Sequence, residues 1–324
     1  MQAWHWTKRI LVGFCGLLFL AALAGGTYQW IATRRDLVAN PPPGRLVDIG
    51  GHRLHVWCTG AGAPSVILES GLGGSSFDWG YVQPEVARFT RVCSYDRAGM
   101  GYSDAGPSPR TTRRIAHELA RLLERTGIGG PLVLVGASIG GFTVRLFASE
   151  NGERVAGLVL VDASHEEQEV EVPRIAPFVP FLSSVGVFRL LGVSFGPRPD
   201  SLAPSVRGFA RATAFRTAAY QATADEGLHL RESAAEVRAS RRQLTVPVVV
   251  VTAGRDADPV WRELQLDQVG LSQQGCQMVA ERLGHGIALG QPEAVVNAIR
   301  ATVETARGRT EVALCGSLET DGPP

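Results

Sequence analysis

A chain of 324 residues with 45% hydrophobic content is long enough for one large α/β domain or two modest ones. Its formal net charge of +1 carries no signature of a nucleic-acid or polyanion partner. Five cysteines (Cys15, Cys58, Cys93, Cys276, Cys315) stand apart with no C-x-x-C pair, which argues against a zinc knuckle or a redox dithiol.

Between Arg9 and Arg34 lie 24 residues without a charge, and a bilayer core needs roughly 20. The competing reading is a cleaved signal peptide with Ala22-Leu23-Ala24 as its cleavage motif. The apolar run continues to Trp30 and Ile31, with Tyr28 and Trp30 placed as interfacial aromatics, so a retained single-pass anchor is preferred over secretion after cleavage. Basic pairs at both ends leave the orientation open. "NPPPG" (40–44) reads as a stiff spacer between membrane and domain.

"RLVDIGGHRLHVWCTG" alternates apolar and polar residues on either side of Gly50-Gly51, the pattern of a hairpin. Short apolar runs follow at 65–70, 90–96, 131–137, 155–162, 246–254 and 276–281. Runs apolar throughout suit strands buried on both faces, hence a parallel sheet covered by helices. Helical periodicity fills the intervals, as in "RRIAHELARLLERTG", which stops at Gly127, in "GGFTVRLFASENGE" and in "QPEAVVNAIRATVETA". The alternation predicts a doubly wound, mostly parallel α/β domain. Cys58 and Cys93 each sit beside a predicted central strand and are expected as buried free thiols; a disulfide between them is the lesser reading and requires an exported domain.

From 164 to 243 the rhythm breaks. Proline clusters precede Ala/Arg-rich helical stretches, and 80 residues are too many for a plain connection, so this interval reads as a helical cap. The expected organisation is an anchor and linker at 1–40, a core at 41–163 and 244–308, the cap at 164–243, and a loose tail at 309–324.

"LVLVGASIGGF" (132–142) runs a buried strand into a serine flanked by very small residues. Gly136-Ala137-Ser138-Ile139-Gly140 fits G-x-S-x-G at a strand–turn–helix junction, where the serine stands exposed with room for a substrate carbonyl. The Ile139 N–H, at a helix start, is then an oxyanion donor. Serine needs a base. His285, in a glycine-flanked loop after the last strand, has the right place in the chain order. His52 and His55 lie in the hairpin and lack a third metal ligand, His117 falls on an amphipathic helix and His229 in the cap, and His165 reads as a partly exposed loop residue. No metal site or cofactor is expected. Three aspartates compete to orient His285: Asp256 is placed first, in the turn after the penultimate strand, with Asp258 and Asp162 as alternatives. A second donor is expected from "ESGLGGSSFDW", where glycines let the Leu72 N–H point inward. That loop lacks the glycine spacing and the lysine of a phosphate cradle.

With these motifs in place the chain resembles the α/β-hydrolase family, from about Gly44 to Arg307. The resemblance is carried by "ESGLGGSS", "YDRAGMGYSD" (95–104), "VGASIGG" and "GHGIALGQPEAVVNAI". It implies Ser138 as nucleophile, His285 as base and Leu72 with Ile139 as oxyanion donors, and leaves Asp96 and Arg97 structural. The family's oxyanion-segment histidine is replaced by Ser70, and the Gly of its Gly-x-x-Asp acid loop by Ala253. A serine at the elbow argues against the haloalkane dehalogenases and epoxide hydrolases that share the layout. The expectation is a serine esterase, lipase-like and capped, acting on a small hydrophobic ester and held to the membrane by its N-terminal helix. Rivals are an amidase, peptidase or carbon–carbon hydrolase of the same fold, and a membrane-tethered binding protein without turnover.

Overall fold

In the computed structural model, residues 2–169, 171–254, 258–282, 284–309 and Cys315 are described. The N-terminal apolar run forms part of one helix, α1 (Gln2–Ala39), long and apolar enough to cross a membrane. From Trp4 to Ala21 it is exposed all round; from Ala22 to Leu37 one stripe is covered. The spacer after it is docked. The Pro43 carbonyl meets His55 Nε2, and the Asn40 carbonyl accepts from the Tyr102 hydroxyl. Tertiary hydrogen bonding has captured backbone carbonyls that composition alone left free.

The hairpin is β1 (Arg45–Asp48) and β2 (Arg53–Thr59), antiparallel as expected. Then come β3 (Ser65–Glu69), the four-residue helix α2 (Gln83–Val86) and β4 (Val92–Tyr95). Next are α3 (Thr112–Thr126), β5 (Leu132–Ala137), α4 (Gly140–Glu150) and β6 (Val155–Val161). Helices α5 (Val179–Ser184), α6 (Val187–Leu191), α7 (Arg207–Thr213), α8 (Thr217–Leu228) and α9 (Leu230–Ser240) form the cap. The core resumes with β7 (Val248–Ala253), α10 (Pro259–Val269), β8 (Gly275–Ala280), α11 (Ile287–Gly290) and α12 (Pro292–Ala306). Residues 310–314 and 316–324 of the expected loose tail lie outside the described residues.

The eight strands pair in the order β1-β2-β4-β3-β5-β6-β7-β8, parallel from β4 to β8. The central strands divide their side chains between two cores. Leu134, Leu160 and Val250 face the core that α3 and α4 cover, whereas Val135, Val159 and Val251 face the one under α12. This strict alternation, apolar on both faces, is why these strands read as unbroken hydrophobic runs. Cys58 and Cys93 are not the free thiols expected: the β2–β4 register sets them directly opposite, Cα atoms 4.0 Å apart, and they are joined as a disulfide; a second links Cys276 to Cys315.

The chain leaves β3 toward β4 on one side and returns as β5 on the other. That reversal opens a crevice at the C-terminal strand ends. Into it project the turn after β3, carrying Gly71 and Leu72, and the turn after β5, carrying Ser138.

Candidate active site

Two non-glycine residues have positive φ among the described residues: Ser138 at 51° and Asp162 at 41°. Such conformations are uncommon without glycine and persist where surrounding structure enforces them. Each ends a central strand. Ser138 N–H bonds the Val161 carbonyl and Asp162 N–H bonds the Val251 carbonyl, so each strand holds its neighbour's turn. The motif glycines permit the elbow: a Cβ on Gly140 would lie 2.6 Å from the Glu69 carbonyl oxygen, and one on Gly136 2.6 Å from the Gly140 carbonyl. No side chain fits between β3, β5 and the start of α4.

His285 brings its Nδ1 to 2.6 Å from Asp162 Oδ2, and its imidazole is 58% exposed. Asp162 is otherwise enclosed. Its Oδ1 accepts from the Ala253 N–H at 3.1 Å and from Trp261 Nε1 at 3.0 Å. Burial pushes this carboxyl up, but the bonds from His285, Trp261 and Ala253 outweigh it and hold the group below the ordinary carboxylate range. An ionised Asp162 orders the imidazole with its proton on Nδ1, leaving Nε2 as the basic nitrogen. The Trp261 and His285 rings meet edge to face at 6.3 Å. Among the described residues no hydrogen bond joins Ser138 Oγ to His285; catalytic bonds of this kind are often long before substrate binds.

Of the three competing aspartates, then, Asp162 bonds His285. Asp258 caps α10 through the Val260 N–H at 3.0 Å, the ordinary fate of an aspartate ahead of a helix. Asp256 lies outside the described residues. Trp261 and the Ala253 N–H escaped sequence reasoning altogether, because their approach to Asp162 is purely tertiary.

The turn after β3 presses against the serine: a Cβ on Gly71 would sit 3.1 Å from Ser138 Cβ. The N–H groups of Leu72 and Ile139 donate to no acceptor among the described residues. Ser70, in the place of the family's histidine, accepts from Trp79 Nε1 at 2.9 Å and donates to the Ser75 carbonyl at 2.8 Å, bracing the loop. Arg97 braces it from beneath, donating to the Ser70 and Gly71 carbonyls at 2.6 and 2.7 Å while pairing with Glu69 and with Glu226 of α8. Its neighbour Asp96 accepts from the Ser76 and Tyr102 N–H groups and faces His55 Nδ1 at 2.8 Å. Through these bonds both residues tie the loop after β3 to the residues around it.

His165 departs from expectation. It is buried, with Nε2 2.8 Å from Asp267 of α10, because a carboxylate distant in sequence folds over it. Beside it Glu166 binds Arg145 through two bonds of 2.6 and 2.7 Å. Among the described residues no group of three or more His, Cys, Asp or Glu side chains could hold a metal ion.

The model of the alpha/beta hydrolase family matches residues 66–298. The chain belongs to that family. Among solved structures, a thermophilic esterase from Thermogutta terrifontis superposes with a TM-score of 0.63 at 24% identity, covering 82% of this chain and 99% of its own. The enol-lactonase from Burkholderia xenovorans LB400 gives 0.62 at 17% identity, covering 80% and 99%. At these identities the likeness is one of fold. A curated relative, the probable transporter efuK of Hormonema carpetanum, is 33% identical over 145 residues, 42% of this chain and 21% of that protein. The chain spans between about a sixth and about half of the length of the curated relatives it matches.

Proposed function

We propose that this alpha/beta hydrolase is a serine hydrolase that cleaves a carboxylic ester carrying a hydrophobic group. The observation that carries the reading is the short Asp162–His285 contact, set beside a serine held at positive φ under two uncommitted backbone donors. Ser138 Oγ attacks the ester carbonyl while His285 Nε2 takes its proton; the imidazolium formed is stabilised by Asp162. The tetrahedral oxyanion is met by the Leu72 and Ile139 N–H groups. His285 then protonates the leaving alcohol. A water, deprotonated by the same imidazole, releases the acid and restores the serine.

The apolar cap and the hydrophobic helix favour a lipophilic substrate. For location we infer a retained anchor. The covered stripe of α1 begins at Ala22, within the candidate cleavage motif, and includes Gln29, which is buried and bonded to Thr217 Oγ1 and the Phe215 carbonyl. Two disulfides are typical of oxidising compartments, which favours a hydrolase domain on the non-cytosolic face. The test is turnover of p-nitrophenyl esters of increasing chain length by the full-length protein in detergent. Saturable hydrolysis that Ser138→Ala abolishes supports the reading; a folded protein inert toward the whole series refutes it.

A further inference from the structure

Outside α1, twelve large hydrophobic side chains are exposed among the described residues, and seven of them fall in one stretch of the cap, from Ile175 to Phe195. Phe178 and Phe181 are more than 60% exposed, and Leu190 reaches 82%. Between Arg174 and Arg198 the stretch has a single charge, Arg189. A patch concentrated this way on an otherwise ordinary surface calls for an occupant.

The packing of α1 says which. From Ile10 to Ala21 the helix is apolar and exposed on every side, a length of roughly 18 Å at 1.5 Å per residue. A hydrocarbon core is about 30 Å thick. To cross it, α1 must also place the turns from Ala22 to about Gln29 at hydrocarbon depth, and those turns are already docked on the cap. A Cβ on Gly25 would lie 2.3 Å from the Val185 carbonyl oxygen, and one on Gly26 3.5 Å from that of Ser184. Tyr28 and Trp30 point outward one turn further on, with Arg34 stacked 4.1 Å over the Trp30 ring, as at a membrane–water boundary. The connection between α5 and α6 therefore sits a turn below that boundary, with the exposed Phe181 and Leu190 to either side. The one charge obeys the same geometry: Arg189 reaches along α1 to Thr33 and Asp36, toward the aqueous side.

We propose that the 175–195 face of the cap is embedded in the outer part of the same lipid bilayer that α1 crosses. The proposal rests on the reading of α1 as a retained span. It deepens the proposed function, because the same stretch leads to the site: Gly196 lies against the Gly73 carbonyl in the turn that carries Leu72. A lipid-soluble ester then enters beside the oxyanion donors from the bilayer rather than from water.

The test uses the full chain in phosphatidylcholine vesicles with and without doxyl-labelled lipid, with an environment-sensitive fluorophore on one cysteine at a time. Cys15, free and exposed in α1, reports the span. Phe181→Cys and, separately, Leu190→Cys in a Cys15→Ser background report the cap. Leu266→Cys, exposed on α10, is the aqueous reference. We expect blue-shifted emission and at least about twofold quenching by doxyl lipid at Cys15, 181 and 190, with under about 1.1-fold at 266. Quenching at Cys15 with water-like emission at both cap positions overturns the proposal and leaves the span intact. Absence of quenching at Cys15 removes the span and the proposal with it.

Discussion

Replacing Asp162 by asparagine tests the proposal that this carboxylate is the one that orients His285 for catalysis. The substitution is nearly isosteric, and the amide oxygen still accepts from Ala253 N–H and Trp261 Nε1. The change falls on the other arm. Where Oδ2 accepts from His285 Nδ1 at 2.6 Å, an amide NH2 can only donate. Nδ1 must become the acceptor and the ring proton moves to Nε2, the atom that has to take the proton of Ser138. Loss of the correct tautomer and of the imidazolium's counter-charge costs roughly 10³–10⁴ in kcat, about 4–5.5 kcal/mol of barrier. In the fold the three bonds persist but lose the assistance of the carboxylate charge, a cost of about 1.5–3 kcal/mol. The sign of its pH dependence follows from the lowered pKa of Asp162. The stabilisation is complete above the unfolded carboxylate pKa and is lost as pH falls through the folded one, so the variant's deficit at neutral pH shrinks in acid. The assay is initial-rate ester hydrolysis at equal concentrations of folded protein, with Asp256→Asn in parallel and expected within about twofold of wild type. Retention of more than a tenth of kcat by Asp162→Asn, or collapse of Asp256→Asn, refutes the assignment.

Three further outcomes are expected. Gly71→Ala places a methyl group 3.1 Å from Ser138 Cβ and 3.7 Å from its Oγ, so kcat falls roughly tenfold with little change in melting temperature; steady-state kinetics at the wild-type rate would place the turn away from the reacting group. Glu166, buried between Arg145 and Arg241, has its carboxyl held down at about 2, burial being outweighed by the hydrogen bonds and charge of Arg145. In urea unfolding, Glu166→Gln is less stable by roughly 2–3 kcal/mol at pH 7, and the gap closes as pH drops from about 4.5 toward 2; a gap independent of pH contradicts the ion pairing. Replacing Cys58 and Cys93 by serine opens a link across 35 residues, expected to cost about 3–4 kcal/mol; unfolding midpoints equal to those of the oxidised protein would count against the bond.

What could be read before folding was whatever the local chain encodes. The parallel sheet was legible because strands such as Val248–Ala253 are buried on both faces and therefore apolar throughout. Ser138 was legible because a strained elbow between a strand and a helix demands glycine on both sides, and His285 because its place after the last strand left few rivals. The partner of His285 was not. In the sequence both Asp162 and Asp256 follow an apolar run closely, and the positive φ that turns Asp162 inward is set by the hydrogen bond from its N–H to β7, which no local pattern records. Trp261 and His165 were hidden for the same reason, since their partners lie about a hundred residues away. The proline spacer misled in the opposite sense, because composition describes its stiffness and says nothing of the carbonyls at Asn40 and Pro43 that tie it down.

The central claim is that Ser138 is an activated nucleophile. The most direct measurement is reaction of the full-length protein with a fluorophosphonate, followed by intact mass and peptide mapping. A single adduct on the Ser138 peptide, lost in Ser138→Ala and slowed at least a hundredfold, by our estimate on the order of the general-base contribution, in His285→Ala, is the predicted result. A folded protein that takes no label, or takes it at another serine, contradicts the account.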